Sequence, residues 1–366
     1  MLKQKVIHMV EDLEVGGLEQ VVATIVLGLN KDKYEVEIWC LAAGGLIADE
    51  LKRNGIKVRV LGLTSYHNPM SVIKLAWLLR RERVDIVHTH GYFPGIFSRL
   101  SGLLAHIPKT ITHIHTTQKR RILIEKVFSF FSYKVLCVSQ AVQEFIIREE
   151  GVKRAKTMLV YNGLEKPEKN ISYNEIVENR RLLGFAKGDT LLIVVAAIKK
   201  HKGHRVLLEA FANEVVRNSS LKLLIVGVGP LKAEIERYAQ ELNISTNVKF
   251  TGLRRDISLL LSLSDIFILP SIEVEGLGLA IIEAIAMKKS VIGSDLGGIP
   301  EVIEDDSNGL LFPPGDVDRL SSAIERLAND RHLREQMGEM GRKLFEEKFT
   351  KEQMINSIET IYDTDQ

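Results

Sequence analysis

The chain has 366 residues, of which 45% are hydrophobic and 26% are charged, and its formal net charge is only +2. This length accommodates two ordinary domains, and the near-neutral charge excludes a dedicated nucleic-acid-binding protein. The two cysteines, Cys40 and Cys137, lie in apolar runs without metal-ligand spacing, so we expect buried thiols. The charged N-terminus and the lack of a long uncharged apolar run predict a cytoplasmic protein without a signal peptide or membrane span.

Short apolar runs alternate with amphipathic helical stretches along nearly the whole chain. In the first half, helical segments such as LEQVVATIVLGLN separate the strand candidates KVIHMV, YEVEIWCL, IKVRVL, DIVH, TITHI, YKVLCVS and TMLVY. The second half continues with TLLIVVAA, LKLLIVG, VKF, IFILP, SVIGS and GLLF. This alternation predicts an α/β protein with doubly wound parallel sheets.

Polar, turn-forming residues interrupt the alternation at 161–175, and we interpret this segment as a linker. We predict an N-terminal Rossmann-like domain at 1–165 and a C-terminal one at 166–349, facing a central cleft. Ligands of such sheets bind beyond the carboxyl ends of the strands. The tail has no strand candidate, and we expect a C-terminal helix at about 350–366 to pack back on the first domain.

Two loops have the composition of phosphate-binding sites. Gly16 and Gly17 follow the first strand and precede a helix, where backbone N–H groups attract anions. Lys199, Lys200 and Lys202 follow the strand TLLIVV and are positioned to stabilise a departing phosphate, although Lys199 and Lys200 also fit a generic surface role. The segment GVGP lacks the G-x-G-x-x-G pattern and fits a plain strand-to-helix turn.

The stretch EVEGLGLAIIE combines a glycine-rich helix start with two acids, Glu275 and Glu283. Its surroundings, PSIEVEGLGLAIIEAIAMKKSVIGSDLGGIPEVI, resemble the E-x7-E segment of the retaining family-4 glycosyltransferases, which have the two-Rossmann GT-B fold. The resemblance continues in the GG loop, HKGH, GVGPLKAEIE, VKFTGLRRDI and NGLLFPPGD, and covers essentially the whole chain.

The resemblance implies a nucleotide-sugar donor, and carboxylates are strong acceptors for its hydroxyl groups. Glu283 is expected to hold the ribose, Glu275 to contact the transferred sugar, and the Gly276–Gly278 amides to lie near sugar and phosphate. The alternative for Glu275 is simple complementation of a helix dipole. The implied donor-binding residues are Gly16, Gly17, Lys199, Lys202, Leu253, Glu275, Gly276, Leu277, Gly278 and Glu283.

One position departs from the family pattern. The family usually has an arginine five residues before the motif lysine, and counting back from Lys202 gives Ala197. Lys199 is a candidate substitute, but an ammonium does not reproduce the bidentate contact of a guanidinium.

Histidines cluster in HTH at 88–90 and HIH at 113–115. We interpret His88 and His113 as hydrogen-bonded core residues. The segment ITHIHTT resembles the family's T-x-H pattern, which makes His115 the active-site histidine and puts His90 on the acceptor side. His115, Glu275 and Lys202 are therefore the predicted catalytic residues.

The predicted activity is retaining, metal-independent transfer of a hexose-type sugar from a UDP-sugar to a glycan or lipid-linked acceptor in bacterial surface polysaccharide synthesis. No cofactor is expected, and no D-x-D motif follows a strand. A nucleotide-sugar epimerase or hydrolase of the same fold is an alternative. An NAD-dependent oxidoreductase is a second, disfavoured by the missing dinucleotide motif.

Basic residues outnumber acidic ones in the first 165 residues, and the balance reverses in the remainder. The basic excess is concentrated between Arg99 and Lys134. There Lys119, Arg120 and Arg121 precede large apolar side chains, which favours contact with an anionic membrane surface. A solvated basic face and buried helix packing are the alternatives.

Overall fold

A computed structural model describes residues 3–14, 16–63, 68–116, 127–167 and 171–364. The chain divides into two compact units. The N-terminal unit comprises Met1–Leu164 and Phe349–Gln366, and the C-terminal unit comprises Glu165–Lys348. Each unit has one parallel sheet with helices beside it, so the predicted fold class of two Rossmann-like domains is confirmed.

The described part of the N-terminal unit begins with alternating strands and helices. Its strands are β1 Gln4–Val10, β2 Tyr34–Cys40, β3 Lys57–Val60, β4 Ile86–His90, β5 Lys109–Ile114, β6 Lys134–Cys137 and β7 Thr157–Leu159. Its helices are α1 Gly17–Gly28, α2 Leu46–Arg53, α3 Pro69–Arg81, α4 Tyr92–Ala105 and α5 Gln140–Arg148. The sheet has the order β3-β2-β1-β4-β5-β6-β7, so the chain reverses its direction of winding between β1 and β4.

The C-terminal unit repeats the same plan. Its described helices are α6 Tyr173–Leu182, α7 His204–Val215, α8 Lys232–Glu241, α9 Ile257–Leu263, α10 Leu279–Ala286, α11 Val317–Asn329 and α12 Arg331–Lys348. Its strands are β8 Thr190–Val195, β9 Leu221–Val226, β10 Val248–Gly252, β11 Ile266–Leu269, β12 Ser290–Ser294 and β13 Gly309–Phe312. They have the order β10-β9-β8-β11-β12-β13, with the reversal between β8 and β11.

Both faces of each sheet are buried, which explains the continuous apolar character of the strands. In β1, Ile7 and Met9 join the core beneath α3 and α4, whereas Val10 joins the core beneath α1 and α2. In the C-terminal unit, Phe211 of α7 is fully buried against residues of the central strands. Each predicted strand candidate contains a strand among the described residues.

The start of α6 differs from the sequence interpretation. The helix begins at Tyr173, inside the segment 161–175 that we interpreted as linker. The side-chain oxygen of Ser172 accepts a hydrogen bond from the backbone N–H of Glu175, at 3.3 Å. This Ser-x-x-Glu sequence is a helix-start pattern, and its polar composition concealed the helix.

The tail contains two helices that belong to different units. After α12, the side chain of Thr350 caps the last helix, α13 Lys351–Asp363, in a capping box with Gln353. The backbone of Leu164 bonds to the segment on both sides of Thr350, to the carbonyl of Phe349 at 2.9 Å and to the N–H of Lys351 at 2.8 Å. Helix α13 then packs against α1.

Gly163 allows this backbone contact. A Cβ at this position would lie 2.2 Å from the carbonyl oxygen of Thr350. We expect Gly163→Ala to force the tail away and to lower the free energy of unfolding of the N-terminal unit by about 1–3 kcal/mol, as overpacked sites do. Urea unfolding of the full chain measures this change.

Gly188→Ala is the matched control, because a Cβ at Gly188 would meet no atom within 4 Å. This variant should change the unfolding free energy by less than about 1 kcal/mol. Equal unfolding curves for the two variants would contradict the assigned role of Gly163.

Candidate functional site

In the C-terminal unit, most of the predicted donor-site residues follow strands at one edge of the sheet. Lys199 and Lys202 follow β8, Leu253 follows β10, and the segment from Glu275 to Gly278 follows β11. Strands β8 and β11 are neighbours at the point where winding reverses. Crevices at such points are the usual ligand sites of open parallel sheets.

Two backbone contacts bring the loop after β8 against the loop after β11. Gly203 has φ +69°, and a Cβ there would lie 1.8 Å from the carbonyl oxygen of Pro270. Only glycine therefore permits this approach. Next to it, the N–H of Ile272 donates a hydrogen bond to the carbonyl of His201 at 2.9 Å.

The result is a close ion pair between the two loops. Nζ of Lys202 lies 2.6 Å from Oε2 of Glu275, and the hydroxyl of Ser271 donates to the same oxygen at 2.8 Å. Both side chains of the pair are mostly buried, with 20% of Lys202 and 11% of Glu275 exposed. The structure thus brings together two of the three predicted catalytic residues, with their charges neutralising each other.

Glu283 lies on α10 and differs from Glu275 in having no such partner. Among the described residues, no hydrogen bond or ion pair to its carboxyl group occurs. Burial raises the pKa of Glu283 to about 7. A carboxyl group that is desolvated yet unpaired fits an acceptor for ligand hydroxyl groups.

The start of α10 is formed by Gly276, Leu277 and Gly278. Gly278 precedes the helix with φ +83°, a left-handed conformation that favours glycine. No side chain among the described residues caps this end of the helix. Leu277 is 2% exposed, so its side chain anchors the loop rather than lining a site.

Three further donor-side positions lie at the surface. Lys199 and Ala197 are exposed after β8, and no ion pair joins Lys199 to another described residue. Leu253 is 53% exposed just beyond β10. Gly227 and Gly229 of the GVGP segment allow close packing against the carbonyls of Ala196 and Ile198, which is a structural role.

A cavity of about 550 Å³ occurs at the opposite edge of the same sheet, near the amino ends of β8, β11 and β12. Three of its basic side chains already donate to backbone carbonyls: Lys289 to Ser264 at 2.8 Å, Arg180 to Leu263 at 2.7 Å and Arg334 to Ala328 at 3.0 Å. These contacts stabilise the loops around the cavity, and we assign it no part in the site.

In the N-terminal unit, Gly16 directly precedes α1 and Gly17 is the first residue of that helix. Gly16 is extended, with φ −159°, and no side chain caps the helix there among the described residues. Sequence reasoning missed Glu19 in the first turn, whose carboxyl group a Cβ on Gly16 would meet at 2.2 Å. Burial raises the pKa of Glu19, and an anion entering this loop would lie near that acid.

Five histidines line up on one face of the N-terminal sheet. His8 is paired with His88 in the register of β1 and β4, and His90 is paired with His113 in the register of β4 and β5. His115 follows β5 with the same alternation. Successive rings lie close together, with centroids 4.5 Å apart for His88 and His90 and 4.3 Å apart for His113 and His115.

The environment of these histidines corrects one sequence interpretation. His88 is buried and its Nδ1 bonds to the hydroxyl of Tyr362 at 2.6 Å, as a hydrogen-bonded core residue should. His113 is equally buried, but neither ring nitrogen has a hydrogen-bond partner among the described residues. His8 and Tyr362 were both missed from the sequence.

Two sets of three histidines in this row have nitrogen atoms within 4.8 Å of one another: His8, His88 and His90, and His90, His113 and His115. Three imidazoles are also the ligand set of many zinc sites. Here, however, Nδ1 of His8 bonds to Nε2 of His90 at 3.0 Å, and Nδ1 of His90 bonds to Nε2 of His115 at 3.2 Å. In each set, two of the nitrogens that would bind a metal ion are therefore already hydrogen-bonded to each other.

Burial keeps these rings neutral. It lowers the pKa of His8 and of His115 to about 3, and it lowers the pKa values of His88, His90 and His113 well below the ordinary value. Neighbouring rings add to the effect, because a second positive charge nearby is unfavourable. Each ring therefore carries one N–H at neutral pH.

Lys119, Arg120 and Arg121 lie outside the described residues. A different exposed surface occurs on α3, where Met70, Ile73 and Trp77 are 66%, 52% and 57% exposed. The guanidinium of Arg81 lies 5.1 Å from the ring of Trp77. Of the helices that the structure describes, none is both long and apolar enough to span a membrane.

The sequence matches known families over most of its length. Residues 15–166 match Glycosyltransferase Family 4, and residues 175–344 match Glycosyl transferases group 1. The N-acetyl-alpha-D-glucosaminyl L-malate synthase of Bacillus anthracis is 31% identical over 297 residues, covering 79% of this chain and 77% of that protein.

Two further comparisons agree. The UDP-Gal:alpha-D-GlcNAc-diphosphoundecaprenol alpha-1,3-galactosyltransferase of Escherichia coli is 27% identical over 324 residues, which is 83% of each chain. The crystal structure of Anabaena HepE in complex with UDP and glucose has a TM-score of 0.87 and 21% identity, covering 99% of this chain and all of that one. The Anabaena protein shares the fold just described.

The pKa of Glu283 leads to a prediction about stability. Because the folded-state value of about 7 exceeds the ordinary 4.5, the folded state binds the proton more tightly. The stabilisation is complete below pH 4.5 and is lost as pH rises through 7. We expect the unfolding free energy of wild type minus that of Glu283→Gln to decrease across this range, as measured by urea unfolding at successive pH values.

Glu241→Gln is the control, since Glu241 is exposed at the end of α8. For this pair the difference should change less with pH than it does for Glu283→Gln. An equally small change for Glu283→Gln would contradict the raised pKa of Glu283.

Proposed function

The chain belongs to glycosyltransferase family 4, and we propose that it transfers a hexose-type sugar from a UDP-sugar to a glycan or lipid-linked acceptor in bacterial surface polysaccharide synthesis. The observation that carries the proposal is the buried Lys202–Glu275 pair with the unpaired Glu283 on the helix that follows. Support for the donor and acceptor comes from the Anabaena structure with UDP and glucose and from the galactosyltransferase, whose name specifies UDP-Gal and a diphosphoundecaprenol-linked sugar.

In this proposal the C-terminal unit binds the donor. Glu283 accepts hydrogen bonds from the ribose hydroxyls, and Glu275 accepts them from the sugar. Lys202 and the N–H groups at the start of α10 hold the diphosphate, where positive partial charge favours an anion. Lys199, exposed and without an ion pair among the described residues, supplies a further positive charge in place of the missing arginine. Leu253 lies against the base.

The transfer proceeds with retention of anomeric configuration and without a metal ion. The bond between the anomeric carbon and the phosphate oxygen breaks as the acceptor oxygen bonds to the same carbon from the same face. The acceptor proton passes to the departing phosphate oxygen. Lys202 stabilises the developing charge on the phosphate, as positioned cations do.

The contacts of Glu275 favour this front-face route over a covalent intermediate. A nucleophilic carboxylate must be free to attack the anomeric carbon. One oxygen of Glu275 instead accepts from both Lys202 and Ser271, and such bonds reduce its nucleophilicity.

The N-terminal unit receives the acceptor. His115 contacts the reacting sugar and its leaving group, His90 supports it from the acceptor side, and Gly16 and Gly17 bring backbone N–H groups toward the phosphate. Family membership also favours a transferase over the oxidoreductase alternative. The epimerase and hydrolase alternatives would give different products, and the product analysis described below distinguishes them.

We expect a panel of UDP-, GDP- and ADP-sugars to give a thermal shift only with a UDP-sugar, because the similar Anabaena structure holds UDP and the similar galactosyltransferase is named for UDP-Gal. Glu283→Ala should lose this shift, whereas Glu241→Ala should retain it. With the donor so identified, Lys202→Met should lower the transfer rate about 10²–10³-fold, as loss of one transition-state charge contact does, and Lys200→Met should not.

Product analysis by NMR completes the test. An acceptor-linked sugar with the donor's anomeric configuration supports the proposal. A free sugar, an epimerised nucleotide sugar or an inverted linkage would contradict it, as would stabilisation by a different nucleotide class.

We further propose that the protein works in the cytoplasm at an anionic membrane surface, with α3 as a contact. Met70, Ile73 and Trp77 repeat at helical spacing and form an exposed apolar stripe. Lys74, Arg80 and Arg81 are exposed on the same face of the helix and match an anionic lipid.

We expect the full chain to float with phosphatidylglycerol vesicles at low salt, less with phosphatidylcholine vesicles, and less at 1 M salt because salt screens the charges. The double change Ile73→Ser and Trp77→Ser should reduce the bound fraction at least about tenfold through lost apolar burial.

Leu182→Ser is the control, since Leu182 is 68% exposed on α6 of the other unit. It should float like wild type. Unchanged flotation of the double variant would exclude α3 as the membrane contact.

A further inference from the structure

A chain of hydrogen bonds joins five side chains of the N-terminal unit. Nε2 of His115 lies 3.2 Å from Nδ1 of His90, and Nε2 of His90 lies 3.0 Å from Nδ1 of His8. Nε2 of His8 lies 3.3 Å from the hydroxyl of Tyr362, which in turn lies 2.6 Å from Nδ1 of His88. The chain therefore runs from the proposed active-site histidine to the C-terminal helix α13.

Such a chain has a direction, because each neutral imidazole has one N–H donor and one acceptor nitrogen. If one ring donates through Nε2, the Nδ1 of the next ring must accept that bond. The next ring then also carries its proton on Nε2 and donates through it. A hydroxyl oxygen can accept two bonds, but if both His8 and His88 donated to Tyr362, the buried O–H of Tyr362 would have no acceptor among the described residues. Two arrangements remain. In one, protons point from His115 toward His88, and in the other they point from His88 toward His115.

The far end of the chain decides between them. Nε2 of His88 is buried and has no hydrogen-bond partner among the described residues. Protons pointing toward His88 would place an unpaired N–H at this buried nitrogen, in addition to the one that His113 already buries, and each buried donor without a partner costs free energy. In the opposite arrangement Nδ1 of His88 donates to Tyr362, and Nε2 carries only a lone pair.

We propose that Tyr362 is a positioning residue that fixes the tautomer of His115 through His8 and His90, so that Nε2 of His115 accepts and Nδ1 carries the proton. His115 then meets its ligand as an N–H donor rather than as a base. This inference rests on the proposed function of His115, and it agrees with the front-face route, in which the phosphate oxygen takes the acceptor proton.

The position of Tyr362 is itself well fixed. Its side chain is fully buried, and Nζ of Lys109 donates to its carbonyl at 2.6 Å. The ring of Tyr34 packs edge-on against it with centroids 5.5 Å apart. The hydroxyl of Tyr34 donates to Asp363 at 2.5 Å instead of joining the chain. Tyr34 therefore packs against Tyr362 and bonds to helix α13, but of these two tyrosines only Tyr362 forms hydrogen bonds with the histidines.

Tyr362→Phe in the full-length protein removes one oxygen atom and interrupts the series of hydrogen bonds. Tyr34→Phe is the matched control. Long-range proton–nitrogen NMR of 15N-histidine-labelled protein reads the tautomer, with the His115 signals assigned from their loss in His115→Gln. We expect the Nδ1–H tautomer in wild type and Tyr34→Phe, and a mixture of tautomers in Tyr362→Phe. In transfer assays Tyr362→Phe should lower kcat about 3- to 10-fold, the loss expected from one hydrogen bond, with the donor KM unchanged.

His8→Phe breaks the chain at a second link and should give the same mixture, so the test survives if Tyr362→Phe fails to fold. An unchanged His115 spectrum in both variants, or an equal change in Tyr34→Phe, would overturn the proposal. Stoichiometric zinc in the purified protein, with His nitrogens shifted by the metal, would also overturn it. The role of His115 is tested separately: full transfer activity in His115→Gln refutes that role, whatever tautomer the wild type adopts.

Discussion

The ion pair at the candidate site depends on the approach of the Gly203 backbone to the carbonyl of Pro270. Parallel strands β8 and β11 bring the two loops to the same edge of the sheet. A Cβ at position 203 would collide with the carbonyl of Pro270, so only glycine lets the two loops lie this close. With the loops in this position, Lys202 forms its ion pair with Glu275.

The N-terminal unit meets a different constraint, since polar rings occupy part of its core. Burying an imidazole is unfavourable unless it is neutral and hydrogen-bonded. Four of the five rings satisfy this among the described residues: His8, His90 and His115 bond to one another, and His88 bonds to the hydroxyl of Tyr362, which α13 contributes. Docking of the tail against Leu164 therefore affects the polar core as well as the surface of the unit.

The sequence predicts the local part of this structure and misses the distant part. Strands were predictable because their apolar runs reflect burial on both faces, and Glu275, Glu283 and Lys202 because each lies in a recognisable motif. His8 and Tyr362 are 354 positions apart, and nothing in the residues around either one indicates a partner. The paired state of Glu275 and the unpaired state of Glu283 were equally hidden, because tertiary packing determines which carboxylate meets a cation.

The replacement of the family arginine by Ala197 bears on how a diphosphate would be held. Lys202 is paired with Glu275, so in the proposed complex its ammonium is shared between this carboxylate and the diphosphate. Lys199 is exposed and strongly hydrated, and its ammonium contributes less than a guanidinium that forms two parallel bonds. In the proposed complex, the N–H groups of the first turn of α10, which no side chain caps among the described residues, would add attraction without a side-chain entropy cost.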